Sequence, residues 1–234
     1  MPKYLPIRHA FSFFCFHPRF FHQVSRIEAS DEEWKAQLEE ELLDSGLLDA
    51  QGRLLRHVPS GMVNLNYDIH ICVHMGTEIT PEESAYPPTA ISFPGEGESA
   101  NKLHTLVMLD ITLNDKLHWL VINIPGPKVD KGLVIATYAG PNPSQDTGVH
   151  KYAMFVMEQS NGPISEELVA KYKSESSCDE SNRGNFPFQN FRQSLNLSEP
   201  VAVNYFTQKY SDFVNDINGH CLKDVPLQPH PLYR

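Results

Sequence analysis

Two histidines, an aspartate and a tyrosine stand at the ends of three apolar runs in the middle of the chain. Asp110 closes LHTLVMLD, which begins at Leu103; His118 opens LHWLVINIPG; His150 and Tyr152 open the run that continues to Gln159. An imidazole can donate a hydrogen bond or take up charge near neutral pH. A phenolic hydroxyl donates, and a carboxylate can fix a histidine tautomer or accept from an ammonium group. These groups suit a zwitterionic phosphate head group or a phosphate-like anion. Each histidine taken alone reads more readily as a hydrogen-bonded structural residue. Two of them at equivalent strand starts, with an aspartate at a nearby strand end, weigh against that. Two histidines and a carboxylate also make a metal triad by composition, but the spacing does not demand a metal and none is expected. GxSxG, HExxH and P-loop patterns do not occur, so the expectation is a non-enzymatic binding protein with no cofactor.

Such groups need a rigid frame, and strand ends leading into loops provide one. In Leu117–Ile124 the even positions His118, Leu120 and Ile122 share one strand face, and Leu117, Trp119 and Val121 the other. Both faces are apolar, so the strand reads as interior, with His118 beside the core. His150, Tyr152, Met154 and Val156 line one face of the third run. Upstream, Val63 to Met75 alternates apolar and polar, as a half-buried strand or a bent pair does; His70 and His74 fall on its wet face.

Ser30-Asp31-Glu32-Glu33 is a capping box, followed by Trp34, Leu38 and Leu42 at helical spacing and Gly46 at the C-cap, predicting a helix over 31–45. Phe206, Tyr210, Phe213 and Ile217 predict a second helix over 203–217, and the polar segment Lys171–Gly184 reads as a mobile loop. Gly95–Ala100 superficially matches a dinucleotide fingerprint, but a strand rather than a helix follows it. The fold class expected is mainly β, an antiparallel sandwich with N- and C-terminal helices.

Composition sets the outer bounds. A chain of 234 residues, 41% hydrophobic and 21% charged, suits one sizeable domain. A net charge of −10, with no basic stripe, argues against nucleic acid as the main partner. No apolar run approaches the roughly 18–20 residues of a membrane span. The four cysteines, Cys15, Cys72, Cys178 and Cys221, are far apart and read as free thiols. Asn196-Leu197-Ser198 is a sequon of the kind that also arises by chance. Residues 1–29 hold four basic residues and no acid before Glu28, which fits a mitochondrial presequence better than a secretory signal, with an unstructured tail of no targeting value as an even alternative. The localisation expected is cytoplasmic or mitochondrial, ahead of secreted.

Several ordered motifs add a family resemblance. Leu103–Asp110, HWLVINIPG, YAGPNPSQDTGVHKY and EPVAVNYF resemble the phosphatidylethanolamine-binding proteins, which include the Raf kinase inhibitor proteins, as does the earlier VHMGTEITPEE. The resemblance spans about residues 60–220, leaving 1–59 as an N-terminal extension and 221–234 as an extended, proline-rich tail. It implies a sandwich with a small anion-accepting cavity at one end, lined by Asp110, His118, Tyr138, Pro143, His150 and Tyr152. It also implies a phospholipid head group or phosphate-like anion as ligand, and a regulatory or inhibitory contact with a protein partner of kinase or protease type. The chain departs from the family where Ile111-Thr112 replaces the proline and second aspartate of an Asp-Pro-Asp-x-Pro motif, and only seven residues separate Asp110 from His118. One pocket wall is therefore expected to be short. A mitochondrial large-subunit ribosomal protein built on the same domain is the alternative, with the ribosome as partner and nucleic acid nearby.

Overall fold

The structure, a computed structural model, describes residues 31–94 and 102–213. The expectations for residues 1–29, the Ser30 cap, the Gly95–Ala100 segment and the tail from 221 onward lie outside the described residues.

The three apolar runs are the middle of one sheet: β6 (Leu103–Asp110), β7 (Lys116–Pro125) and β9 (His150–Glu158). With β1 (Gly61–Met62), β8 (Leu133–Ala136) and β10 (Ala202–Gln208), the order is β1-β10-β9-β6-β7-β8, and β4 (Thr77–Glu78) also pairs with β10. The sheet is antiparallel from β10 to β8, while the short β1 and β4 run parallel to β10. The alternating stretch after Val63 forms a hairpin, β2 (Asn64–Asp68) and β3 (Ile71–Val73), which β5 (Ala90–Ser92) completes as a second, three-stranded antiparallel sheet. On it His70 is exposed and His74 half-buried.

The central strands are apolar in both phases because both faces are covered. Leu106, Met108, Val121, Met154 and Val156 pack with Leu65, Tyr67 and Val73 of the small sheet and with Val63 just before it. Val107, Leu109, Leu120, Phe155 and Met157 face the other way, against helices. There α1 (Asp31–Ser45) contributes Leu38 and Leu42, the segment after it Leu47, Leu54 and Leu55, and α2 (Phe188–Ser194) Phe188 and Phe191. Thus α1, the one acidic helix read from the sequence, packs on the domain. Gly46, at φ +75°, ends it, letting Leu47 N–H reach back to Leu42 O at 3.1 Å.

Two expectations are corrected. Ala202–Gln208 is not helical: it is β10, paired with β9 from Ala202↔Val156 to Gln208↔His150. Its residues, AVNYFTQ, are mostly β-branched, aromatic or small, and a fully paired neighbour decides for the strand. The last turns of the expected helix, with Ile217, lie outside the described residues. Likewise, Cys72 and Cys178 are not free thiols: each is disulfide-bonded, and among the described residues no cysteine is free; Cys15 and Cys221 lie outside the described residues.

Candidate functional site

Pairing of β6 with β9 sets Asp110 opposite Tyr152, and pairing of β10 with β9 sets Phe206 on the other side of Tyr152. His150, two residues before Tyr152 on the same strand face, donates from Nδ1 to Asp110 Oδ2 at 2.6 Å. The other oxygen of Asp110 accepts from the backbone N–H groups of Thr112 and Leu113 at 3.0 and 3.1 Å. In place of a longer proline-bearing loop, the aspartate closes a short turn onto itself. His150 is held at its far nitrogen too. Its Nε2 lies 2.8 Å from the hydroxyl oxygen of Thr147, which itself donates to Ser144 O at 2.6 Å.

His118 reaches the cluster by a different device. Met108 pairs with Trp119 and Leu109 with Leu117, so one step on β6 faces two on β7 and His118 is the extra residue of a β-bulge. The bulge turns the ring toward Tyr152, with centroids 5.1 Å apart and planes at 87°. The expected face-sharing with Leu120 and Ile122 is therefore corrected: those two pack with Leu117 on the helical side.

His118 is 1% exposed. Its Nδ1–H donates to Ala139 O at 2.8 Å, and Nε2 has no partner among the described residues. Burial, reinforced by nearby Lys116, pushes its pKa down to about 4, although the Ala139 bond and the Asp110 charge act the other way. At neutral pH the ring is thus uncharged, and Nε2 presents a bare lone pair. Of the two roles open to an imidazole toward an anion, donor or cation, Nε2 of His118 fills neither: it is an acceptor.

Aromatic rings wall the cluster. Tyr152 stacks on Phe206 at 5.4 Å, and Tyr67 meets Phe206 edge-on at 5.6 Å. Burial raises the Tyr152 pKa far above its usual value and the Asp110 carboxylate adds to this, so the phenol keeps its proton. Tyr138 is buried with its hydroxyl 3.0 Å from that of Tyr67, and it donates to Ser84 O at 2.8 Å. Close backbone contact fixes this corner, because a Cβ on Gly140 would stand 2.7 Å from Ala85 O. Pro143 is buried in the loop between Ala139 and His150. Asp110, His118, His150 and Tyr152 are therefore gathered, with Tyr138 on the adjoining wall. Among the described residues no group of three His, Cys, Asp or Glu side chains could hold a metal ion.

Residues 69–209 match the family model of the phosphatidylethanolamine-binding protein. The chain belongs to the phosphatidylethanolamine-binding protein family. A Drosophila melanogaster protein named for odorant binding, A5, is 27% identical over 172 residues, covering 70% of this chain and 78% of that one. The 26 kDa secreted antigen of Toxocara canis is 29% identical over 159 residues, covering 63% of this chain and 56% of the antigen. In three dimensions, the carboxypeptidase Y inhibitor crystallised with its cognate proteinase superposes with a TM-score of 0.62 at 17% identity. That match covers 76% of this chain and 97% of the inhibitor.

In this member of the family a supporting residue stands out that sequence reading passed over. Arg183, 0% exposed, lies in the segment expected to be a mobile loop. Its guanidinium donates to the carbonyls of Leu117, His118, Thr137, Ser176 and Asp179 and to Ser174 Oγ, at 2.8–3.2 Å. It thereby ties the segment to the backbone of the His118 bulge. Lys116–Glu180 (2.9 Å) and the bridge of Ala136 to Ser174 add to the attachment. An arginine amid polar residues carries no sequence signal of burial, so only a fold could reveal it.

Proposed function

We propose that this chain is a non-enzymatic binding protein that takes a phosphoethanolamine-type phospholipid head group at the Asp110–His118–His150–Tyr152 cluster. The observation that carries the reading is the buried, unpartnered Nε2 of a neutral His118. A buried acceptor left unmatched costs about 1–3 kcal/mol, and a ligand N–H or O–H aimed at it recovers that. An ethanolamine ammonium supplies such a donor, and so does the hydroxyl of a singly protonated phosphate. The Asp110 carboxylate nearby favours the ammonium electrostatically. Membership of the family supports a head group as ligand, and the inhibitor-like fold supports a regulatory or inhibitory contact with a protein partner. The ribosomal-subunit alternative draws no support from the relatives described above.

Titration calorimetry with phosphoethanolamine, and with inorganic phosphate beside it, tests this. Phosphoethanolamine binds the wild type, and His118→Ala weakens binding about tenfold or more, since a hydrogen bond to a charged group is worth about 1.5–3 kcal/mol. Absence of binding at millimolar phosphoethanolamine overturns the proposal.

A further inference from the structure

We propose that Asn196 carries an N-linked glycan and that the chain matures in an oxidising secretory compartment. Two observations from separate parts of the molecule meet here. The first is the triplet Asn196-Leu197-Ser198; the chain's other Asn-x-Ser, Asn142-Pro143-Ser144, is barred by its central proline. Asn196 follows α2 in a left-handed turn, φ +51°, and is exposed; its amide donates to Oδ1 of Asn161, also exposed, at 3.1 Å. The second is that Cys72 and Cys178 are both disulfide-bonded, which a reducing cytosol opposes and the secretory pathway favours. That pathway is also where asparagine-linked glycans are attached.

The donor is an oligosaccharide linked to a lipid diphosphate. A bond forms between Asn196 Nδ2 and the anomeric carbon of the first sugar, and the bond from that carbon to the diphosphate oxygen breaks. The lipid diphosphate leaves with the electron pair, and the amide proton passes to a base of the transferase. Geometry also sets the timing. In the folded chain Ser198 Oγ accepts from Glu158 N–H at 2.8 Å and donates to Glu199 O at 2.7 Å, while Leu197 is buried. The serine hydroxyl is thus committed within the fold, so transfer precedes folding. Once folded, the glycan projects beside the Glu158 end of β9, opposite the His150 end that carries the candidate site. It leaves that site open.

The test is the full chain with its own N-terminus, expressed in cultured animal cells and treated with peptide N-glycosidase. The wild type drops by one discrete step in mobility, Asn196→Gln already migrates at the lower position, and Ser198→Thr keeps the upper one. A wild type that does not shift overturns the proposal, and so does a shift that survives in Asn196→Gln. Neither readout depends on ligand binding, so the outcome is independent of the pocket.

Discussion

Acidification is the sharpest probe of the site, because His118 must stay neutral to remain where it is. Its folded pKa is about 4 against the ordinary value of 6.5. In the unfolded chain the ring takes up a proton as pH falls below 6.5, while the folded ring does not until about 4. Its contribution is therefore fully present above pH 6.5 and is lost as pH falls toward 4. At about 1.4 kcal/mol per pKa unit, the loss is about 3 kcal/mol. Other groups titrate in the same window, so the comparison is with His118→Asn. Its side-chain amide can place a donor where Nδ1 bonds Ala139 O, and it does not ionise. Urea unfolding at pH 7 and pH 4 gives both stabilities by linear extrapolation. The wild type loses about 3 kcal/mol more than the variant. Equal losses in the two proteins refute the reasoning, as does a His118 ring that titrates near 6.5 by nuclear magnetic resonance.

Ligand binding has a related signature: phosphoethanolamine affinity collapses as pH falls through about 4, where Nε2 is protonated, as calorimetry across pH shows. Arg183→Met strands several buried carbonyls at about 1–3 kcal/mol each, so denaturant unfolding shows at least about 3 kcal/mol lost. Arg183→Lys recovers only part of that, since an ammonium has three donors in place of a rigid fork of five. Leu42→Ala, at a site with 0% exposure in the core shared with the sheet, costs about 2–5 kcal/mol in the same assay. Cys72 and Cys178 resist alkylation in denaturant until a reductant is added, as mass spectrometry of the peptides reports.

Much of the frame was legible in the residues themselves. The runs 103–110, 117–124 and 150–158 are too apolar and too short for anything but strands covered on both faces, and the spacing from Trp34 to Gly46 sets one helix with its stop. Asp110, His118, His150 and Tyr152 could be named because they sit where those runs begin or end. Their states could not be. Whether His118 shares a face with Leu120 depends on a two-to-one pairing with β6, which no local spacing encodes. Its neutrality follows from burial among groups far away in sequence. Ala202–Gln208 satisfied a helical period and a strand composition equally, and the open edge of β9 chose the strand. Arg183 looked like a solvated residue until the carbonyls of β7 closed around it. Oxidation of the cysteines likewise needs spatial neighbours, which a count and spacings do not supply. Local pattern fixed most of the elements; the non-local pairing of strands decided Ala202–Gln208 and which side chains meet, and with them the charge and tautomer of His118.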